Sequence, residues 1–263
     1  MTMQEVVNDD KFRLTYDLLS DEKSKKIWID HINWKITGNS EHTAKWTEGD
    51  WLEFFYSKEI PIKDNYTYVD VGAYTGDTII RFLAFCRGKY HKIYAFEPDE
   101  ANYIRLKEFI ENSRLPEESI YIEKRGLWSE NTLLSFSRPS DNKAYESSNF
   151  FCDTSNILPT ERLTEGNNVQ TDKLEVCKLD NYSNLFQGEL LIKIDALSSE
   201  YEIICGAKEI IKNLRPVIVM EIGTRYKNTL DTIPLLWSLN KGYKFYLRQL
   251  KTFDNSRTIL IAR

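Results

Sequence analysis

Apolar residues change their spacing near residue 65, and this change divides the chain into two regions. In the first region, Trp28, Ile32 and Ile36 recur at the four-residue spacing of an amphipathic helix. Ser20 is the predicted N-cap of this helix, and Gly38 ends it. In the second region, short apolar strands alternate with helical patterns, which is typical of an α/β fold with a mostly parallel sheet and helices on both faces.

The second region contains seven predicted strands. Those at residues 66–71, 92–96, 120–123, 190–194 and 216–222 alternate with predicted helices at 78–87, 99–113, 199–213 and 232–239. The last helix is predicted to carry Pro234 in its first turn, where proline is tolerated. Strands at 243–247 and 258–262 are joined too briefly for a parallel crossover, so they are predicted to form an antiparallel pair.

We predict two units along the chain. Residues 1–63 form a helical and aromatic cap, and residues 64–263 form the α/β domain, with an insertion around 129–178. The insertion contains predicted strands at 129–136 and 169–178 and a polar loop at 138–168. A long loop inside a compact domain is usually functional, so we interpret it as a substrate-side loop that orders on binding.

Composition narrows the class of protein. The chain has 263 residues, 41% of them hydrophobic, which excludes a wholly disordered chain. Its net charge of -5 disfavours nucleic acid as a partner. Four cysteines without a CxxC pair disfavour a zinc ribbon or a disulfide scaffold. The sequence shows no secretory signal and no apolar run of spanning length, so a cytoplasmic location is expected.

The clearest motif is VDVGAYTGDT at residues 69–78, which follows a strand and opens a helix. Gly72 permits a tight turn, and Gly76 is expected to let a ligand approach the backbone. The free N–H groups at the start of the helix suit an anion such as a carboxylate. The spacing is neither GxGxxG nor GxxxxGK[ST], which argues against a dinucleotide and against a nucleoside triphosphate.

Two further strand ends complete a predicted nucleoside site. Glu97 ends the second strand, where a carboxylate can accept both ribose hydroxyls, and Pro98 makes the following turn. Gly126, Leu127 and Trp128 follow the third strand, where adenine is expected to lie between the side chains of Leu127 and Trp128. A nucleoside site without a phosphate cradle fits S-adenosylmethionine.

Three carboxylates at later strand ends are the candidate catalytic groups. Asp195 ends the fourth strand, Glu200 lies early in the next helix, and Glu221 ends the fifth strand. They are placed to deprotonate a hydroxyl or to hold a cation, with Asp195 the first choice as base. The alternatives are that Asp195 positions a substrate and that Glu200 complements a helix dipole. No HxH or HExxH spacing occurs, so no histidine metal site is predicted.

In order and spacing these motifs resemble the FkbM-type methyltransferases. The resemblance is carried by DVGAYTGDT at 70–78, FEPD at 96–99, LD at 179–180 and IKID at 192–195, and it extends from about residue 66 to the C terminus. It implies a seven-stranded Rossmann-like class I methyltransferase with S-adenosylmethionine as methyl donor. Family members are mostly O-methyltransferases of glycans, polyketides or other small metabolites. The family usually follows its fourth-strand aspartate with Val/Ile-Glu-Gly-Ala-Glu, whereas ALSS precedes Glu200 here.

The resemblance also assigns cofactor roles, with Glu97 holding the ribose. Together with the reading of the strand ends, the predicted cofactor-binding residues are Asp70, Gly72, Ala73, Tyr74, Thr75, Gly76, Asp77, Glu97, Pro98, Gly126, Leu127 and Trp128.

The sequence therefore predicts methyl transfer to a hydroxyl group of a glycan or small metabolite, by in-line displacement with help from a base. An N-methyltransferase, which needs orientation more than a base, and a non-catalytic S-adenosylmethionine-binding module are the alternatives. A nicotinamide oxidoreductase is disfavoured by the glycine spacing. The sequence leaves the oligomeric state open, a homodimer included.

Overall fold

The structure, a computed structural model, describes residues 4, 6, 9–49, 51–138, 149–151, 170–196, 199–222, 226–251 and 256–263. Most of the predicted substrate-side loop therefore lies outside the described residues, as do Leu197 and Ser198. The helices are α1 (Asp10–Leu18), α2 (Glu22–Thr37), α3 (Glu41–Ala44), α4 (Asp77–Phe85), α5 (Glu100–Asn112), α6 (Glu200–Cys205), α7 (Lys208–Leu214) and α8 (Tyr226–Leu239).

The strands fall into two sheets. They are β1 (Thr47–Glu48), β2 (Tyr66–Val71), β3 (Tyr90–Phe96), β4 (Ile120–Glu123), β5 (Gly126–Leu127), β6 (Thr132–Arg138), β7 (Asn149–Phe151), β8 (Gln170–Cys177), β9 (Glu189–Ile194), β10 (Val217–Glu221), β11 (Phe245–Lys251) and β12 (Ser256–Ala262). Short 3-10 helices lie at Glu53–Phe55, Glu117–Ser119 and Leu179–Leu185.

The main sheet confirms the predicted α/β class. Its order over the described residues is β1-β11-β12-β10-β9-β2-β3-β4, and β12 runs antiparallel to both of its neighbours. The other pairings are parallel, as expected for strands joined by crossover helices. The sheet has eight strands in this part of the chain rather than the predicted seven, because two residues of the N-terminal region, β1, pair with β11.

The insertion forms a second, smaller sheet in the order β5-β8-β6-β7. Strands β6 and β8 pair antiparallel along their whole length, and β5 pairs in parallel with the end of β8. The two strands predicted in the insertion are therefore confirmed. The predicted adenine segment begins in this sheet, so the insertion borders the candidate nucleoside site.

Side chains of β2 alternate between two buried clusters, one on each face of the main sheet. Val69 and Val71 join a cluster with α2, α6, α7 and α8, whereas Tyr66 and Tyr68 join one with α4 and the 3-10 helix Glu53–Phe55. The N-terminal region contributes to both clusters, through Trp28 on one face and Phe55 on the other. The division into a cap and a separate domain stays a prediction.

The start of α2 corrects one predicted cap. The carboxylate of Asp21, rather than the hydroxyl of Ser20, accepts from the Ser24 N–H, at 2.7 Å. The Ser20 hydroxyl instead accepts from the Phe245 N–H of β11 at 3.0 Å. The end of the helix is as predicted, because Gly38 takes the left-handed conformation with φ of 73°.

Two helices also differ from their predicted forms. The helix predicted at 199–213 is two helices, α6 and α7, which are separated at Gly206. A Cβ on Gly206 would lie 1.9 Å from the Trp128 carbonyl oxygen, so this junction packs directly on the strand end that carries Trp128. Pro234 lies inside α8 rather than in its first turn, where it has no N–H to donate to the Leu230 carbonyl.

A buried arginine joins the N-terminal region to the sheet. Arg248 Nη2 on β11 donates to Asp21 Oδ2 at 2.7 Å and to Glu59 Oε1 at 2.5 Å, and Nη1 donates to the Ser24 hydroxyl at 3.1 Å. Burial raises the pKa values of Asp21 and Glu59, but the hydrogen bonds from Arg248 and from nearby serines, together with the charge of Arg248, outweigh it, and both pKa values are lowered. The carboxylates therefore stay ionised and bind the arginine.

Replacing this arginine is expected to destabilise the fold. In Arg248→Met both carboxylates lose their cation, which costs about 3 kcal/mol of unfolding free energy at pH 7. Because both folded-state pKa values lie below the ordinary values of 3.8 and 4.5, this stabilisation is present above those values and is lost as the pH falls through the folded values.

Denaturant unfolding measures the difference, with Arg105→Met on the exposed surface of α5 as the matched control. The wild-type and Arg248→Met proteins should converge in stability as the pH falls through the lowered folded-state pKa values and the carboxylates become protonated. If Arg248→Met lost no more unfolding free energy at pH 7 than Arg105→Met, the stabilising role of Arg248 would be contradicted.

Candidate active site

A buried ion pair lies beneath the glycine turn. Asp70 on β2 and Lys193 on β9 are opposite each other in register, and Lys193 Nζ lies 3.0 Å from Asp70 Oδ1 with both side chains buried. The Thr78 hydroxyl of α4 donates to Asp70 Oδ2 at 2.5 Å, and Lys193 Nζ donates to the Gly72 carbonyl at 2.8 Å. Burial lowers the pKa of Lys193, but nearby carboxylates raise it further, so its net direction is upward. Asp70 therefore supports the turn from within the fold, and its part in cofactor binding stays a prediction.

The turn itself needs glycine at two positions for different reasons. Gly72 has φ of 73°, and a Cβ there would lie 2.1 Å from the Asp195 carbonyl oxygen at the end of β9. Gly76 has φ of 91°, and a Cβ there would lie 2.3 Å from the ring of Phe109 on α5. The space on the Cβ side of Gly76 is thus taken by Phe109, and the approach of a ligand to the Gly76 backbone stays a prediction.

The turn connects β2 to α4 along the chain, and hydrogen bonds attach it to the end of β3. The N–H groups of Gly72 and Ala73 donate to the Phe96 carbonyl at 3.0 and 3.1 Å. Tyr74 is exposed with φ of 50°, Thr75 is partly exposed, and Asp77 begins α4. The first N–H groups of α4 have no acceptor within the helix, which suits an anionic group of a ligand.

Glu97 is held by backbone groups on both sides. Its Oε2 accepts from the Tyr74 N–H at 2.8 Å, and its Oε1 accepts from the Asp99 N–H at 3.0 Å. Burial raises the pKa of Glu97 to about 7, although these bonds and one from Asn102 oppose the shift. The carboxylate is therefore fixed in orientation, and each oxygen keeps lone pairs for a further donor.

The third strand end lies beside the second. A Cβ on Gly126 would lie 3.6 Å from Pro98, so the segment after β4 packs against the turn that follows Glu97. Leu127 is buried in the main core, whereas Trp128 is partly exposed and its N–H donates to the Cys177 carbonyl at 2.8 Å. This placement leaves Trp128 as the partly exposed side chain of the pair that was predicted to enclose adenine.

An arginine joins two of the candidate catalytic carboxylates. Arg257 Nη1 lies 3.1 and 2.9 Å from the two carboxylate oxygens of Asp195 and 3.4 Å from Glu221 Oε2. Burial raises the pKa of Glu221 to about 7, with Asp195 and Glu200 raising it and Arg257 and Lys35 lowering it. The fold therefore brings Asp195 and Glu221 together around one guanidinium group.

The third candidate, Glu200, lies close enough for its charge to act on the same cluster. Its side chain is buried in the first turn of α6, and its charge acts on both Glu221 and Lys35. Lys35 comes from the last turn of α2, and burial lowers its pKa to about 8. The N-terminal region thus contributes a cation to the edge of the sheet that carries the carboxylates.

A second link to the N-terminal region lies next to the glycine turn. Arg81 on α4 donates to Asp77 Oδ2 at 2.7 Å, to Glu53 Oε1 at 3.0 Å and to the Trp51 carbonyl at 2.9 Å. Glu53 is buried with φ of 46°, an uncommon conformation for a residue other than glycine. These contacts hold the 3-10 helix Glu53–Phe55 against the start of α4.

Sequence reasoning missed the cations of this site. Lys193 had a usable signal, because a lysine inside an otherwise apolar buried strand requires an anionic partner. Arg257 precedes a strand that was correctly predicted to be antiparallel, and such a strand begins at the edge where parallel strands end. Lys35 had no comparable signal, since it is one of several charged residues on an amphipathic helix.

The described residues hold neither a metal-binding cluster nor a membrane-spanning helix. They contain no group of three or more His, Cys, Asp or Glu side chains arranged to hold a metal ion. Within the same part of the chain, no helix is both long enough and apolar enough to span a membrane.

Both the sequence and the fold of the chain resemble those of known proteins. A model of the methyltransferase FkbM domain family matches residues 70–245, which is more than half of the chain. No curated protein matches the chain. The crystal structure of methyltransferase FkbM from Methylobacillus flagellatus KT is similar, with a TM-score of 0.73 and 17% identity over 96% of this chain and 58% of that chain. The likeness shows the same mixed α/β fold, and the chain spans less than two thirds of that relative.

Weaker likenesses occur to other solved structures. Aeropyrum pernix fibrillarin, with natively bound S-adenosyl-L-methionine, has a TM-score of 0.43 and 14% identity over 81% of this chain and 76% of its own. SMU.1697c from Streptococcus mutans, in complex with SAH, has a TM-score of 0.38 and 11% identity over 78% of this chain and 92% of its own. Likenesses of this size carry no inference about the present chain.

Gly38 and Gly72 share a φ of 73° and provide a matched test of the turn. Nothing lies within 4 Å of a Cβ on Gly38, so Gly38→Ala costs only the left-handed backbone, about 1–2 kcal/mol. Gly72→Ala adds the collision with the Asp195 carbonyl, which raises the cost by about 1–3 kcal/mol. Denaturant unfolding of both variants checks this order, and equal losses would show that the ends of β2 and β9 are not in close contact.

Proposed function

The chain belongs to the methyltransferase FkbM family, and on that premise we propose that it transfers a methyl group from S-adenosylmethionine to a hydroxyl group of a glycan or small metabolite. The donor supplies a methyl group activated by a positively charged sulfur. The protein's own contribution is to hold the donor and the acceptor oxygen in line and to accept the proton of the hydroxyl.

The observation that carries the donor proposal is the setting of Glu97. This carboxylate is buried at the end of β3, and the N–H groups of Tyr74 and Asp99 fix its orientation. Its remaining lone pairs suit the two hydroxyls of a ribose, and the first N–H groups of α4, which have no acceptor within the helix, suit a carboxylate tail. These residues fit a nucleoside that carries an amino-acid arm instead of phosphates.

The acceptor proposal depends on the carboxylates around Arg257. Asp195 lies at the end of β9, next to the strand that carries the glycine turn, and Glu221 lies at the end of β10, one strand further from it. The charge of Glu200 acts on Glu221 and raises its pKa. A hydroxyl is a weak nucleophile at neutral pH, so a carboxylate that accepts its proton would accelerate transfer by about 10²–10⁴-fold. An amine acceptor would need such a base less.

Two measurements test the proposed function. Calorimetry with S-adenosylhomocysteine, with NADH as the comparison, tests for a donor site, and binding of NADH alone would contradict it. Donor turnover with a panel of hydroxylated and amine acceptors then distinguishes O-methylation, N-methylation and a binding module without chemistry. The cytoplasmic location stays a prediction.

The role of Glu97 predicts both a loss of affinity and its pH dependence. Glu97→Gln removes the charge from two hydrogen bonds, so the Kd for S-adenosylhomocysteine should rise about 10- to 100-fold. In the wild type the carboxylate must be ionised to accept both hydroxyls, and its pKa is about 7. Affinity should therefore be lost as the pH falls, by about tenfold at pH 6.

Calorimetry from pH 6 to 8 measures both effects, with Glu111→Gln on exposed α5 as the matched control. The control should keep the wild-type affinity and pH dependence, whereas Glu97→Gln should lose the pH dependence. Wild-type affinity in Glu97→Gln would remove Glu97 from the donor site.

A further inference from the structure

Arg257 reaches the candidate active site because its strand runs in the opposite direction to its neighbours. Strand β12 is antiparallel to β10, so its first residues lie at the edge where β9 and β10 end. The main chain holds it there, since Glu221 pairs with Ile259 and the Ile222 N–H donates to the Thr258 carbonyl at 2.8 Å. The guanidinium group therefore starts from a well-defined backbone position.

The contacts of Arg257 with its two carboxylates are unequal. Nη1 lies 3.1 and 2.9 Å from the two oxygens of Asp195, so both oxygens face the cation. The shortest contact with Glu221 is longer, 3.4 Å from Nη1 to Oε2. The guanidinium therefore engages Asp195 more fully than Glu221, which leaves Glu221 as the carboxylate more available to an acceptor hydroxyl.

The surroundings of Glu221 differ from those of Asp195. Charged groups from four elements act on Glu221: Arg257 of β12, Asp195 after β9, Glu200 of α6 and Lys35 of α2. Burial raises the pKa of Glu221 to about 7, close to the value at which a general base is most effective. Glu53, on the 3-10 helix, acts on Arg257 rather than on Glu221.

We propose that Arg257 is a positioning residue for methyl transfer, which engages Asp195 through both oxygens and orients Glu221 to accept the proton of the acceptor hydroxyl. This inference rests on the proposed function. As the acceptor oxygen forms its bond to the methyl carbon, the carbon–sulfur bond breaks and its electron pair goes to sulfur. The hydroxyl proton passes to the Glu221 carboxylate, which becomes neutral, so the products are a methyl ether and neutral S-adenosylhomocysteine.

The first test compares the two carboxylates. Glu221→Gln should lower kcat about 10²–10⁴-fold, the usual effect of removing a general base, with the affinity for S-adenosylhomocysteine retained. Asp195→Asn should lower kcat less than Glu221→Gln at the same pH. The reverse order of the two losses would overturn the assignment of the base.

The second test addresses Arg257 itself through the pH profile of kcat. Arg257 lowers the pKa of Glu221, so Arg257→Gln should move the acidic limb to higher pH by about one unit, besides lowering kcat. Arg257→Lys keeps the charge but lacks the planar fork of the guanidinium. It should therefore return the acidic limb close to its wild-type pH, while kcat stays below the wild-type value. A merely structural role would lower kcat without moving the limb. Arg105→Gln is the matched control and should change neither quantity.

A third measurement does not depend on turnover. Carbon-13 NMR titration of the glutamate carboxyls, with the Glu221 signal assigned through Glu221→Gln, should give a higher pKa for Glu221 in Arg257→Gln than in the wild type. An unchanged Glu221 titration in Arg257→Gln would overturn the proposed role of Arg257. Absence of turnover with every hydroxylated acceptor would instead overturn the O-methylation proposal, while the titration still decides whether Arg257 controls Glu221.

Discussion

The buried ion pair between Asp70 and Lys193 is the interaction on which the candidate site depends. Two charges removed from water destabilise a fold unless each finds its partner, so the pair requires β2 and β9 to be neighbours in this register. The same two side chains reach Thr78 at the start of α4 and the carbonyl of Gly72. Sheet register, helix start and turn are thereby coupled, and Glu97 meets the Tyr74 N–H only because the turn leaves the sheet at this place.

The direction of one strand determines the chemistry available beside that turn. If β12 ran parallel to β10, its first residues would lie at the opposite edge of the sheet, and Arg257 would be far from Asp195 and Glu221. The antiparallel arrangement instead places a cation between two carboxylates at the edge where the donor is proposed to bind. The N-terminal region adds Lys35 to this edge from the other side, so groups distant in the chain share one electrostatic environment.

Local signals in the sequence predicted much of the fold because they act over a few residues. Alternation of apolar strands with helical patterns predicted the central strands and the helix at 99–113, which is α5 with Asp99 as its N-cap. The errors arose where a distant part of the chain competed for a local group. The Ser20 hydroxyl binds the N–H of Phe245 instead of capping α2, and contact with the Trp128 carbonyl at Gly206 accompanies the break between α6 and α7.

The sequence by itself determined which residue types stand at the strand ends, and therefore the α/β class, the glycine turn, Glu97 and the three carboxylates as candidates. Only the tertiary structure decided which charges meet: Lys193 lies 123 positions from Asp70, and Arg257 lies 62 from Asp195. Periodicity and turn chemistry depend on neighbours in the chain, whereas an ion pair depends on strand order and direction. A carboxylate at a strand end therefore becomes a support, a ligand-holding group or a base according to the cation that the fold brings to it.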